Sequence, residues 1–216
     1  MIVPLMTEKE IESEILKEVQ ELDNTRDRFS KNFRRLVLKS SKFPVTKLYA
    51  CKTKKKNLFK LVYTVTKRSQ HDSPNLGIFC IYERKEGKYM VAYSCLDKKI
   101  TIFSPHFFLR YRERILKNES LPMLDVIDTY IRNNKALMSF VINRELVEAY
   151  RCFEKNYSDE KINLVASTAD GFCFSEEHGN VTIVKTIISR EMLTKAQKPF
   201  LLELEKETTE IKFPWE

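Results

Sequence analysis

The chain has 216 residues, of which 43% are hydrophobic and 31% are charged, a balance typical of a folded protein rather than a disordered one. No run approaches the roughly 18 apolar residues that span a bilayer, and the N-terminus lacks the basic start of a secretory signal, so we expect a cytoplasmic protein. The 5 cysteines are odd in number and widely spaced, which argues against a disulfide framework and against a thiolate metal site.

The net charge of +8 is unevenly distributed along the chain. Between Thr25 and Ser120, 24 Lys or Arg residues stand against 7 Asp or Glu residues, an excess of 17 positive charges. Such an imbalance is typical of a surface that meets a polyanion, most plausibly nucleic acid. A solvated basic face that has no specific partner is the alternative.

The N-terminal region has a helical pattern. Thr7 and Glu10 form the Thr-x-x-Glu pattern of a capping box, and a hydrophobic stripe at helical spacing follows them. We expect one long helix or two consecutive helices, acidic first and basic later. Residues 1–45 are therefore predicted to form an N-terminal helical segment and residues 46–216 an α+β domain, together one compact unit.

From Lys47 the hydrophobic period changes to that of a strand. One strand is predicted within KLYACKTKKKNLFKLVYTVTKRS, and LGIFCIYERKEGKYMVAYSCL predicts a β-hairpin with Gly87 at its turn. A fourth strand, KKITIF, leads directly into Ser104 and Pro105.

In the second half of the chain, helices are again followed by strands. LPMLDVIDTYIRNN predicts a helix with Leu124, Ile127 and Ile131 on one face, and ELVEAYRCFEKNY predicts another helix. Three strands follow, INLVAST, GFCFS and VTIVKTIIS, and REMLTKAQKPFLLELEKE predicts a final helix. Because hairpins dominate, the predicted fold class is α+β, with a mostly antiparallel sheet of two meanders and N-terminal, central and C-terminal helices.

A lysine run beside aromatic residues, KTKKKNLFKLVY, is a candidate nucleic-acid contact. A basic hairpin tip in solvent gives the same pattern, so both interpretations stay open. The predicted nucleic-acid-binding residues are Lys52, Lys54, Lys55, Lys56, Lys60 and Arg112.

The segment FSPHFFLRYRERILK predicts an amphipathic helix that carries one of the 3 histidines. Ser104 is suited to the N-cap and Pro105 to the first helical position. At helical spacing an aromatic face lies opposite a polar face. The polar face carries His106, Arg110, Glu113 and Arg114.

This polar face has the groups for RNA cleavage without a metal. Attack by the 2′-hydroxyl needs a base, an acid and cations that stabilise the charged phosphorane. His106 could supply the acid and base, and Arg110 and Arg114 could bind the scissile phosphate, with Glu113 placing them. The alternative is an ordinary exposed face, where ion pairs at these spacings stabilise by about 0.2–0.5 kcal/mol each.

The pattern His-x3-Arg-x2-Glu-Arg, followed by a second helix and a terminal strand with the sequence IVKTII, resembles a group of small bacterial domains. That group is related to the RelE/barnase-like toxin nucleases, which cut RNA without a metal. The resemblance covers about residues 99–189 and implies a catalytic role for the four polar residues of the helix and, less directly, for Lys185 and Thr186 on the late strand. It also implies a protein inhibitor as a partner.

The resulting hypothesis is a metal-independent, RNA-cleaving, toxin-like protein of a bacterium or mobile element, with RNA as its partner and no cofactor or membrane contact. A metal site built from His106, His178 and either Glu176 or Glu177 lacks a recognised ligand spacing. The alternative hypotheses are a non-enzymatic nucleic-acid-binding or interaction protein with a basic surface, and a structural domain without a specific polyanion partner.

Overall fold

The computed structural model describes residues 2–134, 140–141, 164–193 and residue 199. The described elements form two successive groups, each with helices followed by strands, as the sequence predicts. In chain order they are α1 Glu8–Glu21, α2 Asp23–Lys39, β1 Val45–Lys52, β2 Leu58–Val65, β3 Asn75–Arg84, β4 Gly87–Tyr93, β5 Ile100–Phe103, α3 Pro105–Tyr111, α4 Met123–Asn133, β6 Phe140–Val141, β7 Leu164–Ser167, β8 Phe172–His178 and β9 Val181–Ile188.

The described strands form one nine-stranded sheet in the order β1-β2-β3-β4-β5-β9-β8-β7-β6. Strands β1 to β5 are an antiparallel meander, and β6 to β9 are a second one. The α+β fold with two meanders is therefore confirmed. The meanders join through a parallel pair that the sequence did not predict, in which Ile100 of β5 lies opposite Val181 of β9.

Helices α1 and α2 cover one face of the sheet. The predicted capping box is present at Thr7, and Leu22 both ends α1 and begins α2, so the N-terminal pattern is two helices rather than one. Phe29 of α2 stacks on Tyr49 of β1 with ring centroids 4.5 Å apart. Phe33, which is fully buried, packs against Tyr63 of β2 with ring centroids 5.5 Å apart.

Helices α3 and α4 cover the opposite face around a group of buried aromatic rings. Phe103, Phe107 and Tyr130 meet with ring centroids 5.1–5.2 Å apart. Alternation along β9 separates the two cores, since Ile183 packs with α1 and α2 while Val184 packs with α3 and α4. None of the described helices is long and apolar enough to cross a bilayer.

Two predicted elements need correction. The single strand predicted around the lysine run is two strands, β1 and β2, paired with Val45 opposite Val65. In α4, Leu124 is 39% exposed, and Val126 and Tyr130 are buried beside Ile127 and Ile131 instead. The predicted helix ELVEAYRCFEKNY lies outside the described residues. So does most of the predicted C-terminal helix, whose described part is a 3-10 turn at Arg190–Met192 with residues 193 and 199.

Candidate functional site

The first turn of α3 is fixed to strand β9 through its N-cap. The hydroxyl of Ser104 accepts a hydrogen bond from the backbone N–H of Phe107 at 3.2 Å, as the sequence predicts. The same hydroxyl donates to the carbonyl of Lys185 at 3.4 Å, and the Ser104 N–H donates to the carbonyl of Val184 at 3.2 Å. His106 therefore begins a helix whose position on the sheet is set by β9, and its side chain is half-buried.

An ion pair joins Arg110 on the polar face of α3 to Glu113, one turn further along the chain. Nη1 of Arg110 lies 2.9 Å from Oε2 of Glu113, with side chains that are 30% and 39% exposed. After Tyr111 the chain continues as a π turn, Arg112–Leu116, and ends at Lys117 in the left-handed conformation. Because π turns bond over five residues instead of four, α-helical spacing does not hold after Arg112.

Arg114 lies against β9. Its Nη1 donates to the hydroxyl of Thr186 at 3.3 Å and to the carbonyl of Ile187 at 2.9 Å. Strand β5 has ended by this point, so this side of β9 has no neighbouring strand, and the guanidinium takes the place of a ladder donor. These contacts give Arg114 a structural role.

Lys185 occupies a β-bulge and forms an ion pair on the α1 side of the sheet. Thr186 lies opposite Phe174 and Val184 opposite Ser175, which leaves Lys185 as the extra residue. Its Nζ lies 2.9 Å from Oε1 of Glu176, and both side chains are largely buried.

Glu176 connects Lys185 to helix α1. Its Oε1 lies 3.6 Å from Nε2 of His178, whose Nδ1 lies 2.8 Å from Oε2 of Glu8. This chain of contacts ends on α1, whereas α3 packs on the other face of the sheet. The structure thus pairs Arg110 with Glu113, leaves His106 one turn before Arg110 on α3, and places the Lys185 ammonium with a different group of residues.

The predicted nucleic-acid-binding residues lie in three places. Lys52, Lys54 and Lys56 are exposed at the tip of the β1–β2 hairpin, where Lys56 adopts a positive φ of 64°. Lys55 turns toward α1, where its Nζ lies 3.0 Å from both carboxylate oxygens of Glu14. The hydrogen bond to Glu14 raises the pKa of the Lys55 ammonium.

Lys60 and Arg112 are set into the fold. The ammonium of Lys60, 9% exposed, forms an ion pair with Asp128 of α4 beneath that helix. Nη1 of Arg112 lies 3.4 Å from the carbonyl of Leu121 and closes the loop before α4. Both cations therefore contact the protein itself, and the three exposed lysines of the hairpin tip remain open to a partner.

A second set of cations, which the sequence analysis did not single out, lies on the outward face of α2. We call it the α2 basic stripe: Arg28, Lys31, Arg35 and Lys39. All four side chains are exposed, and within the described residues none of them forms an ion pair, although the guanidinium of Arg28 lies over the Phe29 ring at 5.2 Å from its centroid. The signal was in the sequence, since the four cations recur at helical spacing opposite Phe29, Phe33 and Val37, which are buried.

The aromatic face of α3 ends in a buried polar cluster. The hydroxyl of Tyr111 donates to Oδ2 of Asp170 at 2.6 Å, and the side-chain amide of Asn134 donates to the same oxygen at 2.7 Å. Burial, and next the hydrogen bond to Asp170, raise the pKa of the Tyr111 phenol. The cluster ties α3 and α4 to the turn between β7 and β8, which indicates a structural role.

No group of three or more His, Cys, Asp or Glu side chains that could hold a metal ion occurs among the described residues. Comparisons of the chain with protein-family models, curated proteins and solved structures found no match.

Proposed function

We propose that the protein binds nucleic acid, with RNA favoured, through the α2 basic stripe. The observation that carries this proposal is a set of four exposed cations on one helix face, none of them in an ion pair within the described part of the chain. Asp27 lies one turn before Lys31 and forms no ion pair with it there. The stripe thus presents four exposed positive charges along one helix face.

The scaffold beneath the stripe supports the proposal. Phe29 and Phe33 anchor the inner face of α2 on the sheet, so the outer face is held toward solvent. At a rise of about 1.5 Å per residue, the stripe is about 17 Å long. Cations arranged along a rigid rod can contact successive phosphates and release their counterions, which is the main source of affinity for nucleic acids.

The carboxylates near the β1–β2 hairpin tip favour the α2 basic stripe as the main nucleic-acid contact. The exposed lysines of the β1–β2 hairpin tip are next to Lys55, which is paired with Glu14 of the acidic helix α1. A polyanion at the hairpin tip would approach these carboxylates, whereas Asp23 and Asp72 beside α2 are already paired with Arg26 and Arg34, and α2 carries six Lys or Arg residues against two Asp residues. The hairpin tip is therefore a secondary contact in this proposal.

The test is the affinity of the purified protein for a labelled RNA, measured by fluorescence anisotropy. The double variant Arg35→Ala/Lys39→Ala should bind at least about tenfold more weakly, because two phosphate contacts are lost. The matched control, Lys9→Ala/Lys17→Ala, removes the same charge from exposed positions of α1 and should stay within about twofold of wild type. Equal losses in both variants would show that net charge, not the stripe, governs binding, and no binding by wild type would refute the proposal.

RNA cleavage at α3 is the second candidate function, and the position of His106 one turn before the Arg110–Glu113 ion pair favours it. His106 would move the protons, and Arg110 would bind the phosphate while Glu113 holds the guanidinium in place. Arg114 is hydrogen-bonded to β9, and Lys185 is paired with Glu176. This candidate function therefore depends on the other three predicted catalytic residues, His106, Arg110 and Glu113.

Cleavage is tested by incubating RNA with the protein in EDTA. His106→Ala and Arg110→Ala should each abolish cleavage, whereas Lys117→Ala, which removes an exposed cation from the end of the same helix, should not. The same cleavage rate in wild type and both site variants would exclude α3 as the catalytic site.

A further inference from the structure

The α2 basic stripe lacks exposed aromatic side chains on which single-stranded bases could stack. Single strands are commonly held by exposed aromatic side chains, and each stacked base contributes about 1–3 kcal/mol. Both aromatic residues of α2, Phe29 and Phe33, are buried in the core. Leu36 and Leu38 are the large apolar side chains exposed on this helix, at 39% and 40%, and neither has a ring to stack on a base.

The row of cations in the stripe favours a ligand with a high and regular density of phosphates. A duplex carries about one negative charge per 1.7 Å of its axis, so a segment as long as the stripe carries about ten charges, and those on its near side face the stripe. A single strand presents about half that density and must lose conformational freedom to follow a straight helix. With no stacking to offset that cost, a single strand gains less from this surface than a duplex does.

The basic surface continues beyond the C-terminal end of α2. The guanidinium of Arg68 donates to the carbonyl of Ser40 at 2.6 Å, and this contact holds Arg68 and its neighbour Lys67 beside the last turn of the helix. Both residues are exposed. The positive charge thus continues past the C-terminal end of α2, which lengthens the surface available to a duplex.

We infer that the α2 basic stripe binds the phosphate backbone of a nucleic-acid duplex, independently of base sequence. This inference rests on the proposed function and adds the class of ligand to it. Duplex RNA and duplex DNA share the relevant chemistry, and separate arms of the experiment distinguish them.

The experiment measures the affinity for a 20-base-pair RNA duplex, the DNA duplex of the same sequence and each single strand, over a range of salt concentrations. Four phosphate contacts predict a slope of about −3.6 in the logarithm of affinity against that of salt concentration. Binding of the duplex should therefore weaken about 150-fold between 50 and 200 mM salt. A second duplex of scrambled sequence should bind equally well.

Two double variants test whether this salt dependence arises from the α2 basic stripe. Arg35→Ala/Lys39→Ala should reduce its magnitude by about 1.8, and Arg28→Gln/Lys31→Gln, in the other half of the stripe, should do the same. An unchanged slope in both variants would overturn the inference. So would single strands that bind as tightly as the duplex; in that case a loss of affinity in the variants would leave the proposed function standing, whereas absence of all binding would remove both.

Discussion

The ion pair between Lys60 and Asp128 allows a quantitative test of the packing between β2 and α4. The two side chains are 9% and 27% exposed, so the ammonium is the more deeply buried partner. Asp128→Ala leaves that ammonium without a counter-charge, and removal of one partner from a buried pair costs about 3–5 kcal/mol. Because Asp128 is partly exposed and water can replace it in part, we expect the lower end, about 3 kcal/mol.

The reverse substitution should cost less. Lys60→Met keeps most of the side-chain packing and leaves Asp128, which can hydrate, so we expect a loss of about 1 kcal/mol. The double variant leaves no buried charge and should lie within about 1 kcal/mol of wild type. Urea unfolding followed by circular dichroism measures all three free energies of unfolding.

The decisive result is that Asp128→Ala lowers the free energy of unfolding more than Lys60→Met does. Losses below about 1 kcal/mol in both would mean that the pair behaves as a solvent-screened surface pair, and the burial argument would be wrong. Lys60→Met should also bind RNA as wild type does, because this ammonium contacts Asp128. A large loss of affinity in that variant would return Lys60 to the nucleic-acid surface.

Two further predictions concern the turns and the alkaline range of stability. A Cβ at Gly171 would lie 2.1 Å from the carbonyl oxygen of Ile188, so Gly171→Ala should cost at least about 3 kcal/mol in urea unfolding. Gly179→Ala, where φ is +65° and nothing lies within 4 Å, should cost only about 1 kcal/mol, and equal losses would contradict the clash. Burial raises the pKa of Tyr63 to about 12, so above about pH 10 the unfolded chain releases its phenol proton first and stability falls as pH rises. Tyr63→Phe should make that alkaline fall shallower by about 2–3 kcal/mol, and an identical pH profile in both proteins would refute this.

Local patterns predicted the elements of the fold better than their boundaries. The capping box at Thr7 and the N-cap at Ser104 are present, and so are the three predicted strands that correspond to β7, β8 and β9, because each depends on neighbouring residues. Strand β1 was missed because its side chains are half-buried or exposed without a regular alternation. The parallel pairing of β5 with β9 joins residues about 80 positions apart and leaves no local signal.

The candidate site was predictable only as far as helical spacing held. The Arg110–Glu113 ion pair follows from a separation of three residues. The contacts of Arg114 depend on a π turn, and the position of Lys185 depends on a β-bulge, and neither irregularity has a sequence signature here. The burial of Lys60 depends on where α4 docks, so it could not be read from the lysine run.

The sheet itself separates the two proposed activities. Phe33 and Val37 beneath the α2 basic stripe pack on one face, and Phe107 and Phe108 beside His106 pack on the other. A phosphate bound on the stripe therefore cannot reach His106 without passing around the sheet. The two hypotheses thus make independent predictions, since Arg35→Ala/Lys39→Ala should weaken duplex binding without altering cleavage of a short oligonucleotide. His106→Ala should show the opposite pattern, and a variant that removes both activities would indicate that one continuous ligand spans both faces.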